Sequence, residues 1–150
     1  MSARFRTAAA ACAAFGLAAA PAMSGAAAQE VEPSNKAFVF ASLDGEQVPG
    51  GGSDEGFADF SAEIDLLTGE LCYSFSAGGV EMTAAHIHKG KPGESGEPVM
   101  TLSLTDEREQ TCETVQLSLA KAIGGKPGNY YVNLHTAEFP GGAIRGQLEE

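Results

Sequence analysis

The 150-residue chain has no tryptophan, three histidines, three cysteines and only nine Lys and Arg against 20 Asp and Glu. A net charge of −11 repels phosphate backbones, so nucleic acid is a poor partner and none is expected, and anionic membrane surfaces are excluded on the same ground. Three scattered cysteines rule out a cysteine-based metal centre, which needs more thiolates at closer spacing. There is no Gly-x-Ser-x-Gly elbow for a hydrolase nucleophile and no His-Glu-x-x-His helix for a metalloprotease. No pair of carboxylates stands out, because acids are everywhere; a solvated acidic face is the plain reading. Internal repeats and heptads are missing too. The one apolar run, Ala8 to Ala22, is too short and too alanine-rich to span a membrane.

That run has another use. Arg4 and Arg6 precede it, and Ala26-Ala27-Ala28 follows it just before Gln29, the pattern of a secretory leader with an A-x-A cleavage site. Too few apolar residues precede Cys12 for a lipobox, and Phe5 separates the two arginines that a twin-arginine signal needs adjacent. Residues 1–28 are therefore read as a leader, 29–35 as a flexible lead-in and 36–150 as one domain. Removing Arg4 and Arg6 leaves seven basic residues against all 20 acids, a net charge of −13 for the remaining 122 residues. The expected location is exported, periplasmic or extracellular. Cys12 departs with the leader. The even pair Cys72 and Cys112 then reads as a disulfide, which by chain entropy contributes on the order of 3–5 kcal/mol.

Short alternating segments bounded by glycine and proline follow. Strands are expected at 36–43, 57–65, 71–76, 83–90, 99–104, 111–114, 130–136 and 143–148, with one helix at 115–123 ended by Gly124-Gly125. Leu117, Leu119, Ala120 and Ile123 are its candidate sheet-facing residues. Cys72 falls on the polar face of its strand, which suggests a disulfide clipping a covering segment onto the sheet. Matching parity across the final hairpin puts Asn133 opposite Arg145 and Tyr131 opposite Gln147 on the outer face, with Val132, Leu134, Ile144 and Leu148 inside. This pattern predicts an all-β fold, an antiparallel sandwich or partly closed barrel with one short helix.

The histidines carry the functional question. His86 and His88 alternate with Ile87, so both point away from the core, and His135 does the same beside Leu134. Imidazole suits copper and zinc, and a His-x-His strand gives two ligands with little ordering. The competing reading is three unrelated outer-face residues, hydrogen-bonded under the loop at 89–98. Asp44, Glu46, Asp54 and Glu55 around Gly50-Gly51-Gly52 resemble a calcium loop in composition but lack its spacing. Arg145 reads as a strand residue paired with Asn133 or an acidic neighbour. Tyr130 and Tyr131 read as core and face residues.

Several motifs in order resemble a known family: Leu43-Asp44-Gly45-Glu46-Gln47-Val48-Pro49, Gly69-Glu70-Leu71-Cys72-Tyr73, Ala85-His86-Ile87-His88, Tyr130 to Thr136 and Gly142 to Leu148. Together they look like a CHRD domain, the domain repeated in chordin and found singly in exported bacterial proteins, across roughly residues 36–148. The resemblance implies an immunoglobulin-like β-barrel distantly similar to copper/zinc superoxide dismutases, with a His-x-His strand similar to the copper half of that site. It implies no settled activity, and chordin's growth-factor binding does not transfer to a single domain. A dismutase-like enzyme is a minor alternative, because its two-metal site needs more than three histidines. The first expectation is a non-enzymatic binding module for an unknown protein or small ligand. The alternative is a copper- or zinc-binding protein using His86, His88 and His135.

Overall fold

Strict alternation decides which side chains go inside. The computed structural model describes residues 34–104 and 109–150; the expected leader, the lead-in up to residue 33 and part of the charged segment at 105–110 lie outside the described residues. Lys36–Asp44 (β1) and Phe57–Asp65 (β2) pair antiparallel from Lys36↔Asp65 to Asp44↔Phe57. Val39, Ala41 and Leu43 from β1 and Ala58, Phe60, Ala62 and Ile64 from β2 are buried. The apparent irregularity of β2 comes from Phe57, which sits on the outer face and is 61% exposed. Glu70–Gly78 (β3) adds Leu71, Tyr73 and Phe75, and the rings of Phe60, Tyr73 and Phe75 pack at centroid distances of 5.2–6.0 Å.

The remaining strands are Ala84–Lys89 (β4), Pro98–Leu102 (β5), Thr111–Thr114 (β6), Tyr130–His135 (β7) and Ile144–Gln147 (β8). All eight form one curled antiparallel sheet in the order β5-β4-β7-β8-β1-β2-β3-β6. The chain is thus all-β and barrel-like, with one short helix, as its patterning predicts. Its two edges, β5 and β6, meet through side chains. Tyr73 Oη donates to Glu113 Oε1 at 2.7 Å and accepts from Ser103 N at 2.7 Å, while Ser103 Oγ donates to Glu113 at 3.0 Å. Burial, with Glu113 beside it, pushes the Tyr73 phenol up to about 12, so it remains a donor at any ordinary pH.

Two expectations are corrected here. Cys72 and Cys112 are joined by a disulfide, but they face each other across paired strands, Cys72↔Cys112 in β3 and β6. The bridge ties an edge strand to its neighbour and does not hold a covering segment onto the face. The helix (α1) spans Leu117–Gly125 and includes both glycines that were expected to end it. Gly124 serves close packing: a Cβ there would lie 2.8 Å from the Ala37 Cβ. Ala120 and Ile123 face the sheet, Leu119 is half-buried, and Leu117 turns outward at 39% exposure.

Candidate metal centre

β4 sends Ala85 and Ile87 into the core, which turns His86 and His88 outward; β7 buries Val132 and Leu134 inside and turns Tyr131, Asn133 and His135 outward. The strands pair Ala84↔His135, His86↔Asn133 and His88↔Tyr131. β8 continues the rows with Asn133↔Arg145 and Tyr131↔Gln147, the register expected from parity. This register makes His86 and His135 diagonal neighbours on one face, within reach of each other's rings.

That face is covered. The β4–β5 pairing shifts register at Ile87/His88, and His88 lies opposite Pro98. Proline offers no ladder N–H; one further backbone bond, from Lys89 N to Glu97 O at 3.2 Å, follows before residues 90–96 fold back over the outer surface. Gly96 permits the tight return, since a Cβ would lie 1.7 Å from the Lys89 carbonyl oxygen. Arg145 holds the loop down: Nη1 donates to Glu94 O at 2.8 Å and Nη2 to Lys91 O at 2.9 Å. Gln147 Nε2 donates to Gly90 O at 2.9 Å, and Tyr131 Oη accepts from Gly96 N at 3.1 Å. Arg145 is only 3% exposed, with its guanidinium carbon 3.5 Å above the Tyr131 ring. Tyr131 in turn stacks on His88 at 4.9 Å and 12°. Arg145 therefore sits opposite Asn133 as expected, but it serves backbone carbonyls and an aromatic face, not a carboxylate.

On this face the three histidines converge, each half-buried. One ligand atom from each of His86, His88 and His135 lies within 4.8 Å of the other two, the only such group of His, Cys, Asp and Glu among the described residues. His86 Nδ1 is 2.9 Å from His135 Nε2. His88 Nδ1 is 2.8 Å from Gly96 O, and His135 Nδ1 is 2.9 Å from Pro140 O. A carbonyl oxygen only accepts, so both Nδ1 atoms carry a proton, and both Nε2 atoms present lone pairs. His135 spends its lone pair on His86. His88 Nε2 is buried and has no partner.

Burial, then the charges of His135 and His88, holds the His86 imidazole below its ordinary range. Burial is also the largest cause for His88; the Gly96 bond opposes it, and His135 and Arg145 add to it. Both rings are therefore neutral at neutral pH, the form that binds a metal. Two nitrogens at ~2.0–2.1 Å from a tetrahedral ion stand ~3.3 Å apart; His86 and His135, hydrogen-bonded at 2.9 Å, are near that spacing, and an ion would take the place of their shared proton. The backbone carbonyls that set the tautomers of His88 and His135 are the supporting partners that metal-bound histidines ordinarily have. The acid-rich loop after β1 has another purpose at Asp44, whose carboxylate accepts from Gln47 N and Gln47 Nε2 at 2.9 Å each.

The expected hydrogen bond under the loop at 89–98 is present for His88, to Gly96 O. Nothing in the spacing of those residues beyond their glycines and prolines told that the loop would be tied to Tyr131 and Arg145. Fold and site together define a small all-β module with a histidine cluster on a covered outer face. The CHRD domain matches residues 39–148, and the chain belongs to that family. No curated protein and no solved structure matches it.

Proposed function

We propose that this CHRD domain is an exported, non-enzymatic binding module whose ligand is a copper or zinc ion held by His86, His88 and His135. The observation that carries this reading is the buried lone pair of His88 Nε2, left without a partner inside a three-histidine cluster. An unpaired buried acceptor costs about 1–3 kcal/mol, and an ion offsets that cost where no protein donor does. Imidazole donors favour copper and zinc over magnesium or calcium. Export is supported by the leader pattern at residues 1–28 and by the Cys72–Cys112 disulfide, which persists in oxidising compartments. Among the described residues no helix is long and apolar enough to cross a membrane. A dismutase-like two-metal reaction is not proposed, because a second ion would need histidines beyond the three present.

The test is metal analysis of protein recovered from its own compartment, beside a His86→Ala, His88→Ala double variant. Near-stoichiometric copper or zinc in the first and its loss in the second supports the reading. Equal metal content in both ends it.

A further inference from the structure

Two buried side-chain atoms lack a hydrogen-bond partner among the described residues: His88 Nε2 and Asn133 Oδ1. Both residues line one cavity of about 180 Å³, together with Tyr131, Gly96 and Arg145, and of the three histidines only His88 borders it. Asn133 is 7% exposed and stands directly opposite His86, two residues from His135 on the same face. Its Nδ2 donates to Gly141 O at 3.4 Å, which assigns the other end of the amide as the acceptor. The Gly141-Gly142 turn presses on this amide: Gly142 has φ +138°, and a Cβ there would lie 2.6 Å from Asn133 Oδ1. The His88 nitrogen is likewise an acceptor, because its Nδ1 proton is spent on Gly96 O. Two acceptors cannot satisfy each other, so each needs a donor or an ion from elsewhere in or beside the cavity they share.

We infer that Asn133 completes the centre: the ion bound by the three histidines carries a water, and that water donates to Asn133 Oδ1. This rests on the metal reading above. Three protein ligands leave a tetrahedral ion one open position, ordinarily held by water. A water on a divalent ion is a strengthened donor, and it needs an acceptor that is not itself a ligand. The cavity has the room, since one water's share of liquid volume is about 30 Å³. Asn133 is a positioning residue in this arrangement, not a ligand.

The test measures Zn2+ affinity by competition with a chromophoric chelator, and the visible spectrum of the Cu2+ form, for wild type, Asn133→Leu and Asn133→Asp. Both variants lose the bond to Gly141, so a merely structural asparagine moves both alike, whereas an oxygen acceptor separates them. Asn133→Leu is expected to weaken Zn2+ binding about 10–100-fold. Asn133→Asp keeps an acceptor and adds a negative charge, so it is expected to bind Zn2+ at least as tightly as wild type and to shift the Cu2+ band. Equal weakening of both variants, or affinities within about twofold of wild type and an unmoved Cu2+ band for both, overturns the role of Asn133 and leaves the histidine site standing. Wild type that binds neither Zn2+ nor Cu2+ overturns the metal reading and this inference with it. Should Asn133→Leu not fold, Asn133→Asp decides the matter: weaker Zn2+ binding than wild type, or unaltered affinity with an unaltered Cu2+ band, overturns the inference.

Discussion

Arg145 is the nail that holds the roof on the histidine face, and replacing it by leucine tests that directly. The change removes two charge-assisted hydrogen bonds, to Glu94 O and Lys91 O, and the guanidinium contact with Tyr131. The two carbonyls belong to exposed residues and regain water, so each bond counts at the low end for a charged donor, about 1.5 kcal/mol. The ring contact adds about 1 kcal/mol, and leucine recovers about 1 kcal/mol by packing where a charge was buried. The net expectation is a loss of about 3 kcal/mol, read as a lower urea midpoint at unchanged slope. Two local signals should accompany it. The Gly96 amide, bonded to Tyr131 Oη, should lose hydrogen-exchange protection. The His88 imidazole, depressed chiefly by burial and partly by Arg145, should titrate nearer the ordinary histidine value. A midpoint shift worth under about 0.5 kcal/mol, with Gly96 still protected, would refute the idea that this residue anchors the loop.

The remaining predictions concern protons and the seam. His86 and His88 are held below the ordinary value near 6.5, so the unfolded chain takes protons more readily than the fold does; that stabilisation is complete above about pH 6.5 and is lost as pH falls through the depressed folded values. Metal-free wild type should therefore lose more stability between pH 7.5 and 5 than His86→Gln, His88→Gln protein, and parallel urea-midpoint profiles for the two would contradict it. Tyr73→Phe leaves the Ser103 N–H and one Glu113 oxygen without their phenol partner; a loss of about 1–3 kcal/mol is expected, with faster exchange at the Ser103 amide, and an unchanged urea curve would show that the phenol does not close the sheet.

Local alternation carried most of the fold. Ile87 between two histidines, and Leu134 between Asn133 and His135, set the inside and outside of β4 and β7 without reference to any other part of the chain. The final hairpin's register followed from the same parity. The helix end did not, because Gly124 is there for its contact with Ala37, a residue far away in sequence. The partner strand of Cys112 was equally hidden, since the pairing of β6 with β3 is a matter of sheet order.

The candidate site divides along the same line. Side-chain parity follows from a backbone that repeats every two residues, so the chemistry of the face, three imidazoles and an amide, could be written down from the letters. Whether His88 sits open to water or beneath a loop depends on bonds between residues 51 and 54 positions apart, Arg145 to Glu94 and to Lys91. No periodicity spans such a distance. Only the folded sheet brings that guanidinium under that loop, and with it the burial and charge that hold the His88 imidazole down.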